Sequence, residues 1–271
     1  MKTQKNSIFK YILFPVLRIG LWVYVFFGVF LYFMQSSILY HPSQRDFYDC
    51  PELEKDFEKL SINGTRFYYS NLSDDGVLIH YHGNAWRACD RAFKQDIFKS
   101  SWRSIIIVEY SGYGWDTLKP SKQNILQNTH DIADFITETW YSDILIYWES
   151  LWSAVASYHA SHSEVDTLVL VSPFTSVADM ASREYPLYPI RLLLRENYTT
   201  YNWLQDYSWE LVILHGKDDT IISPHFSQKL YNSLTTTKEK TYILYEWYWH
   251  NDIWNSPRFQ TDFKNVIILN D

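Results

Sequence analysis

Hydrophobic positions along the chain fall into two regimes. From Tyr11 to Met34 nearly every residue is apolar or aromatic, interrupted by Pro15 and Arg18. Such a run is long enough to cross a hydrocarbon core of about 30 Å as a helix. Lys2, Lys5, Lys10 and Arg18 precede its uninterrupted part, Ile19 to Met34, so the positive-inside rule predicts a cytoplasmic N-terminus with the rest of the chain on the opposite, extracytoplasmic side. The run exceeds the apolar core of a signal peptide and no A-x-A-like cleavage site follows Met34. Residues 1–36 therefore read as an uncleaved single-pass membrane anchor.

Beyond the anchor, short apolar runs alternate with amphipathic stretches. Gln35 to Leu60 reads as a polar connector with a short helix around Glu52 to Leu60. Strands are expected at Phe67–Ser70, Val77–Tyr81, Ser104–Glu109, Asp143–Tyr147, Thr167–Val171, Glu210–Leu214 and Thr241–Tyr245. Between and after them the pattern predicts helices over Arg87–Lys99, Gln123–Glu138, Leu151–Ser161, Pro224–Leu234 and Pro257–Leu269. Continuous apolar strands separated by helices indicate a mainly parallel sheet covered on both faces, a doubly wound α/β architecture. Only Pro173 to Tyr207 breaks the rhythm. Residues 37–271 thus read as one domain, with 173–207 a short cap or rim insertion over the C-terminal edge of the sheet.

The charge pattern narrows the partners. A net charge of −7 and no basic cluster interleaved with aromatics argue against nucleic acid. Cys50 and Cys89 have no metal-ligand spacing, and two cysteines make no disulfide framework, which leaves their pairing open.

The chemistry centres on Trp148-Glu149-Ser150-Leu151-Trp152, which has the frame of a nucleophile elbow, G-x-S-x-G, between an expected strand and helix. A serine hydroxyl is a weak nucleophile unless a positioned base takes its proton. The order Ser, Asp, His is completed by His215-Gly216-Lys217-Asp218-Asp219 after one strand and by His250 after the last. Asp219 is the expected orienting acid, with Asp218 as the alternative. His82-Gly83-Asn84-Ala85 ends another strand, where the second oxyanion donor belongs, so the backbone N–H groups of Asn84 and Leu151 are the expected pair. His130, His159, His162 and His225 fall on expected helices or their edges and read as solvated.

Tryptophan at both glycine positions of the elbow conflicts with this reading, because strand and helix nearly touch there. Soluble chains average about 7% glycine, or roughly 19 residues at this length; the chain holds 8 glycines and 12 tryptophans. Trp102 and Trp140 each follow an expected helix, where a left-handed cap favours glycine, and Trp86, Trp115, Trp247 and Trp249 flank the Asn84, Gly114 and His250 motifs. The pattern predicts UGA codons of a lineage that reads them as glycine. The alternative is an aromatic-rich chain with genuine tryptophans at 148 and 152, in which case the fold serves non-catalytic binding.

The ordered set of Tyr40-His41-Pro42, His82-Gly83-Asn84-Ala85, Gly112-Tyr113-Gly114 with Lys119-Pro120-Ser121, the elbow, Ser172-Pro173-Phe174-Thr175-Ser176, His215-Gly216 with Asp219, and His250-Asn251 resembles the α/β-hydrolases of the Bem46-like, serine aminopeptidase-like group, including their membrane-anchored depalmitoylase-type relatives. The resemblance implies the α/β-hydrolase fold and hydrolysis of an ester, thioester or amide. Ser150, Asp219 and His250 would be the triad, with no cofactor or metal needed. A small-molecule, lipid or acylated substrate beside the membrane is the expected partner.

Overall fold

The computed structural model describes residue 11 and residues 13–268. Lys2, Lys5 and Lys10 of the charge argument, and Leu269 at the end of the last expected helix, lie outside them. The apolar run forms helix α1, Phe14–Leu39. It extends past the expected boundary at 36 because Gln35 is buried against the rest of the chain and the helix closes only at Tyr40, whose N–H bonds Ser36 O.

The chain then departs from expectation. Residues 51–56 form turns, and where a helix around Glu52–Leu60 was expected the strand β1, Glu58–Ile62, pairs antiparallel with β2, Thr65–Ser70. Asn63-Gly64 closes this hairpin with both residues at positive φ, 50° and 92°, the signature of a two-residue turn. That local signal outweighs the helical look of the charged residues before it.

The remaining strands are β3 (Gly76–Tyr81), β4 (Ser104–Glu109), β5 (Asp143–Glu149), β6 (Thr167–Val171), β7 (Glu210–Gly216) and β8 (Glu239–Tyr245). They form one eight-stranded sheet in the order β1-β2-β4-β3-β5-β6-β7-β8, parallel from β4 through β8. Every residue of β3, β4 and β6 is buried, as expected of strands covered on both faces. The expected helix over Arg87–Lys99 is instead a 3₁₀ segment, Ala88–Lys94, followed by one turn of α2, Gln95–Lys99. Its start is pinned by a disulfide from Cys89 to Cys50 and by a bond from Ala88 N–H to Glu109.

The other helices are α3 (Lys122–Thr139), α4 (Ser153–His162), α5 (Val177–Glu184), α6 (Ile190–Leu193), α7 (Thr200–Trp203), α8 (Pro224–Ser233) and α9 (Pro257–Ile267). Side chains of α3, α4 and α8 fill the core on one face of the sheet; Phe98 of α2 and Phe259, Phe263 and Ile267 of α9 fill the other. Residues 173–207 hold α5, α6 and α7. His159 of α4 is a correction: it is 1% exposed, with its Nδ1 bonded to Tyr81 OH, because the Ala- and Ser-rich helix lies flat on the sheet. Burial pushes its pKa down to about 3.

Candidate active site

Ser150 is the first residue after β5, in a tight 3₁₀ turn, Ser150–Trp152, that leads into α4. Its φ is +65°, a left-handed conformation that costs an L-residue about 1–2 kcal/mol. The turn aims the serine away from both strand and helix, as an elbow requires. His250 arrives on the loop after β8, and its Nε2 lies 2.5 Å from Ser150 Oγ, while its Nδ1 lies 2.6 Å from Asp219 Oδ2. With the carboxylate accepting from Nδ1–H, Nε2 is left to accept from the serine hydroxyl.

Asp219 follows β7 and is buried, whereas Asp218 is exposed, so the chain brings only the former to His250. The Asp219 carboxylate also accepts from Ile221 N–H at 2.9 Å, Ile222 N–H at 2.8 Å and His215 Nε2 at 3.2 Å. Burial alone would raise its pKa; the bonds from His215 and His250 outweigh this and hold it well below the usual carboxylate range. Gly216 lets the two loops meet, since a Cβ there would lie 2.4 Å from Tyr248 O, two residues before His250.

Gly83, Asn84 and Leu151 border the same cleft as Ser150 and His250, a cavity of about 680 Å³. Asn84 is fixed on both sides of its amide: Oδ1 accepts from Tyr113 OH at 2.7 Å, and Nδ2 donates to Leu39 O at 2.7 Å, which ties this loop to the last turn of α1. Below the loop His82 faces Glu109 at 3.1 Å, both fully buried.

Sequence reasoning passed over Glu149. Alternation along β5 puts it on the same face as Tyr147, where its carboxylate meets Lys94 Nζ, Tyr147 OH and Trp254 Nε1. Burial would raise the Glu149 pKa, but Lys94 and Arg91 outweigh it and keep the carboxylate ionised; burial pushes Lys94 down to about 7. A charged residue ending an apolar strand was the available signal.

The two elbow tryptophans are fully buried. Trp152 stacks on Tyr40 with centroids 5.5 Å apart and packs on Tyr110 and Tyr198, and Trp148 Nε1 reaches Tyr110 OH at 3.3 Å. The expectation that indoles would disturb the elbow is thereby corrected: both point to the face opposite Glu149, into an aromatic layer, and Ser150 stays within reach of His250. One cost remains, since Trp152 Nε1 is buried without a hydrogen-bond partner among the described residues. Four other tryptophans, Trp102, Trp115, Trp140 and Trp247, adopt φ of 58°, 55°, 62° and 70°.

No protein-family model matches the chain. It is 26% identical over 196 residues to an uncharacterized protein of Mycobacterium tuberculosis, a match covering 71% of this chain and 69% of that one. It is 24% identical over 186 residues to the lysophosphatidylserine lipase ABHD12 of Mus musculus, covering 59% of this chain and 46% of the relative, so the match spans about half of that protein. Among solved structures it resembles an esterase of Pyrococcus furiosus, with a TM-score of 0.67 at 11% identity over 84% of this chain and 96% of that one. A monoacylglycerol lipase of Paleococcus ferrophilus superposes with a TM-score of 0.57 at 14% identity, covering 75% and 96% of the two chains.

Proposed function

We propose that this chain, an α/β-hydrolase and a serine hydrolase, is held at a membrane by α1 and cleaves an ester, thioester or amide of an acylated lipid through Ser150, His250 and Asp219. The observation that carries the reading is the unbroken chain from Ser150 Oγ through His250 to buried Asp219, with the serine at φ +65°. In it Ser150 Oγ attacks the acyl carbonyl carbon as His250 Nε2 takes its proton. Asp219 keeps Nδ1–H in place and stabilises the imidazolium. The oxyanion is met by the backbone N–H groups of Asn84 and Leu151, fixed donors that need no reorganisation as charge develops. His250 then protonates the leaving group, giving an acyl-enzyme. A water deprotonated by the same nitrogen attacks that ester, releasing the acid and restoring Ser150.

A lipid substrate is favoured by the lipase relatives and by α1, a 26-residue helix long and apolar enough to cross a membrane. The Cys50–Cys89 disulfide supports an extracytoplasmic domain, since such bonds persist in oxidising compartments. Protease added outside intact cells or spheroplasts should therefore digest the domain, and full protection would reverse the orientation. A fluorophosphonate probe should label the native protein. Equal labelling of Ser150→Ala would overturn the nucleophile assignment.

A further inference from the structure

Most of α1 is exposed. Its buried positions are Gly28, Leu31 and Gln35, three and four residues apart and so on one face. That face is clamped to the cap. Tyr24 stacks on Tyr188 with centroids 4.5 Å apart, and Tyr24 OH donates to Leu187 O at 2.7 Å. Gly28 allows the approach, because a Cβ there would lie 3.2 Å from Tyr188 Cε1. Gln35 Nε2 donates to Leu193 O at 2.7 Å and its Oε1 accepts from Arg195 N–H at 2.7 Å, so the one buried amide of the helix is satisfied by cap backbone.

Between the clamps an apolar cavity of about 100 Å³ stays open, with Leu31, Ile38 and Leu39 of α1 facing Ala181, Leu193 and Leu194. Of its polar neighbours, Gln35 is bonded as above and Glu196 accepts from Tyr40 OH and Lys122 N–H; Tyr185 also lines it. Ile38 and Leu39 also line the cleft that contains Ser150, and Leu39 O is the acceptor for Asn84. Ile38 and Leu39, on the last turn of the helix, thus border both the cavity and the catalytic cleft.

From these shared residues we propose that the acyl chain of the substrate, with its carbonyl at Ser150, runs past Ile38 and Leu39 into the groove between α1 and the cap, so that the membrane anchor is itself one wall of the acyl site. The proposal rests on the hydrolase reading above and adds the place of the acyl chain and its route, from the bilayer along α1. Short acyl groups would reach Ser150 from the cleft without using the groove.

Two measurements on the full chain in phosphatidylcholine vesicles test it. The first compares kcat/KM for palmitoyl and butyryl p-nitrophenyl esters in the parent and in Ala181→Phe, which fills the groove from the cap side. Each methylene shut out of an apolar site costs about fourfold, so the palmitoyl-to-butyryl ratio should fall on the order of tenfold or more. An unchanged ratio, including a parallel loss on both esters, overturns the proposal. The second uses Ser150→Ala and a palmitoyl ester with a terminal diazirine. Crosslinks at Leu31 or on α5 support the groove, and crosslinks confined to the outward-facing Phe26 and Phe33 overturn it. If the parent hydrolyses neither ester, the hydrolase reading fails and the crosslinks alone decide the groove.

Discussion

Replacing Trp102, Trp115, Trp140 and Trp247 together by glycine is expected to stabilise the protein. All four adopt positive φ, and Trp140 sits at the left-handed C-cap of α3, with φ 62° and ψ 29°. Their side chains gain little in return, being 75%, 71%, 86% and 84% exposed. The left-handed conformation costs an L-residue roughly 1–2 kcal/mol, and glycine loses back about 0.5–1 kcal/mol through its freer unfolded state. The net gain is about 0.5–1 kcal/mol per site. Because the sites lie in four different loops their effects should add, giving about 2–4 kcal/mol and a rise in Tm of roughly 4–16 °C for a domain of this size. Thermal unfolding of the full chain in detergent, followed by circular dichroism, measures it. Trp254→Gly serves as the control: it packs on Phe259 and Phe263 and holds Glu149, so its loss should destabilise by about 3 kcal/mol. A quadruple variant that melts at or below the parent refutes the left-handed assignment. The parallel reading, that the natural product carries glycine at these codons, is sunk by an intact mass matching twelve tryptophans.

Asp219→Asn should leave the fold intact and lower kcat by about 10⁴, because the wrong imidazole tautomer faces Ser150; activity within tenfold of the parent would remove Asp219 from the mechanism. His159 makes acid stability a test of its burial. The unfolded chain takes up a proton near the ordinary 6.5 and the folded one only near 3, so stability is lost as pH falls through that window. His159→Gln should flatten the slope measured by urea unfolding between those limits, and an unaltered slope would contradict it. The Cys50–Cys89 disulfide closes a loop with a sequence separation of 39, for which chain entropy gives about 4 kcal/mol. The double serine variant should lose most of that in a denaturant titration, and a loss under about 1 kcal/mol would show that the native bond stores compensating strain.

Much of the fold was legible because its signals are local. Strands β4 and β6 fall on their expected residues, since each is a continuous apolar run bounded by polar residues, and the order of elbow, acid and histidine motifs is a property of the chain alone. Glu52 to Leu60 was misread because β1 exists only through its pairing with β2, and pairing is decided by the Asn63-Gly64 turn and not by the composition of the strand. His159 was misread because a helix of alanines and serines has no clear apolar face, so its inward side is set by the sheet on which it lies.

By itself the sequence determined the α/β architecture, the apolar helix at its start, and the identity of Ser150, Asp219 and His250 as candidates, because periodicity and motif spacing are carried by neighbouring residues. Tertiary structure alone decided the burial of Asp219 beside His250 with Asp218 left exposed, the meeting of Cys50 with Cys89, the burial of Trp148 and Trp152 behind the elbow, and the seating of α1 on residues 187–195. These depend on groups brought together from distant points of the chain, where burial and loop geometry, which no local pattern encodes, select the partner.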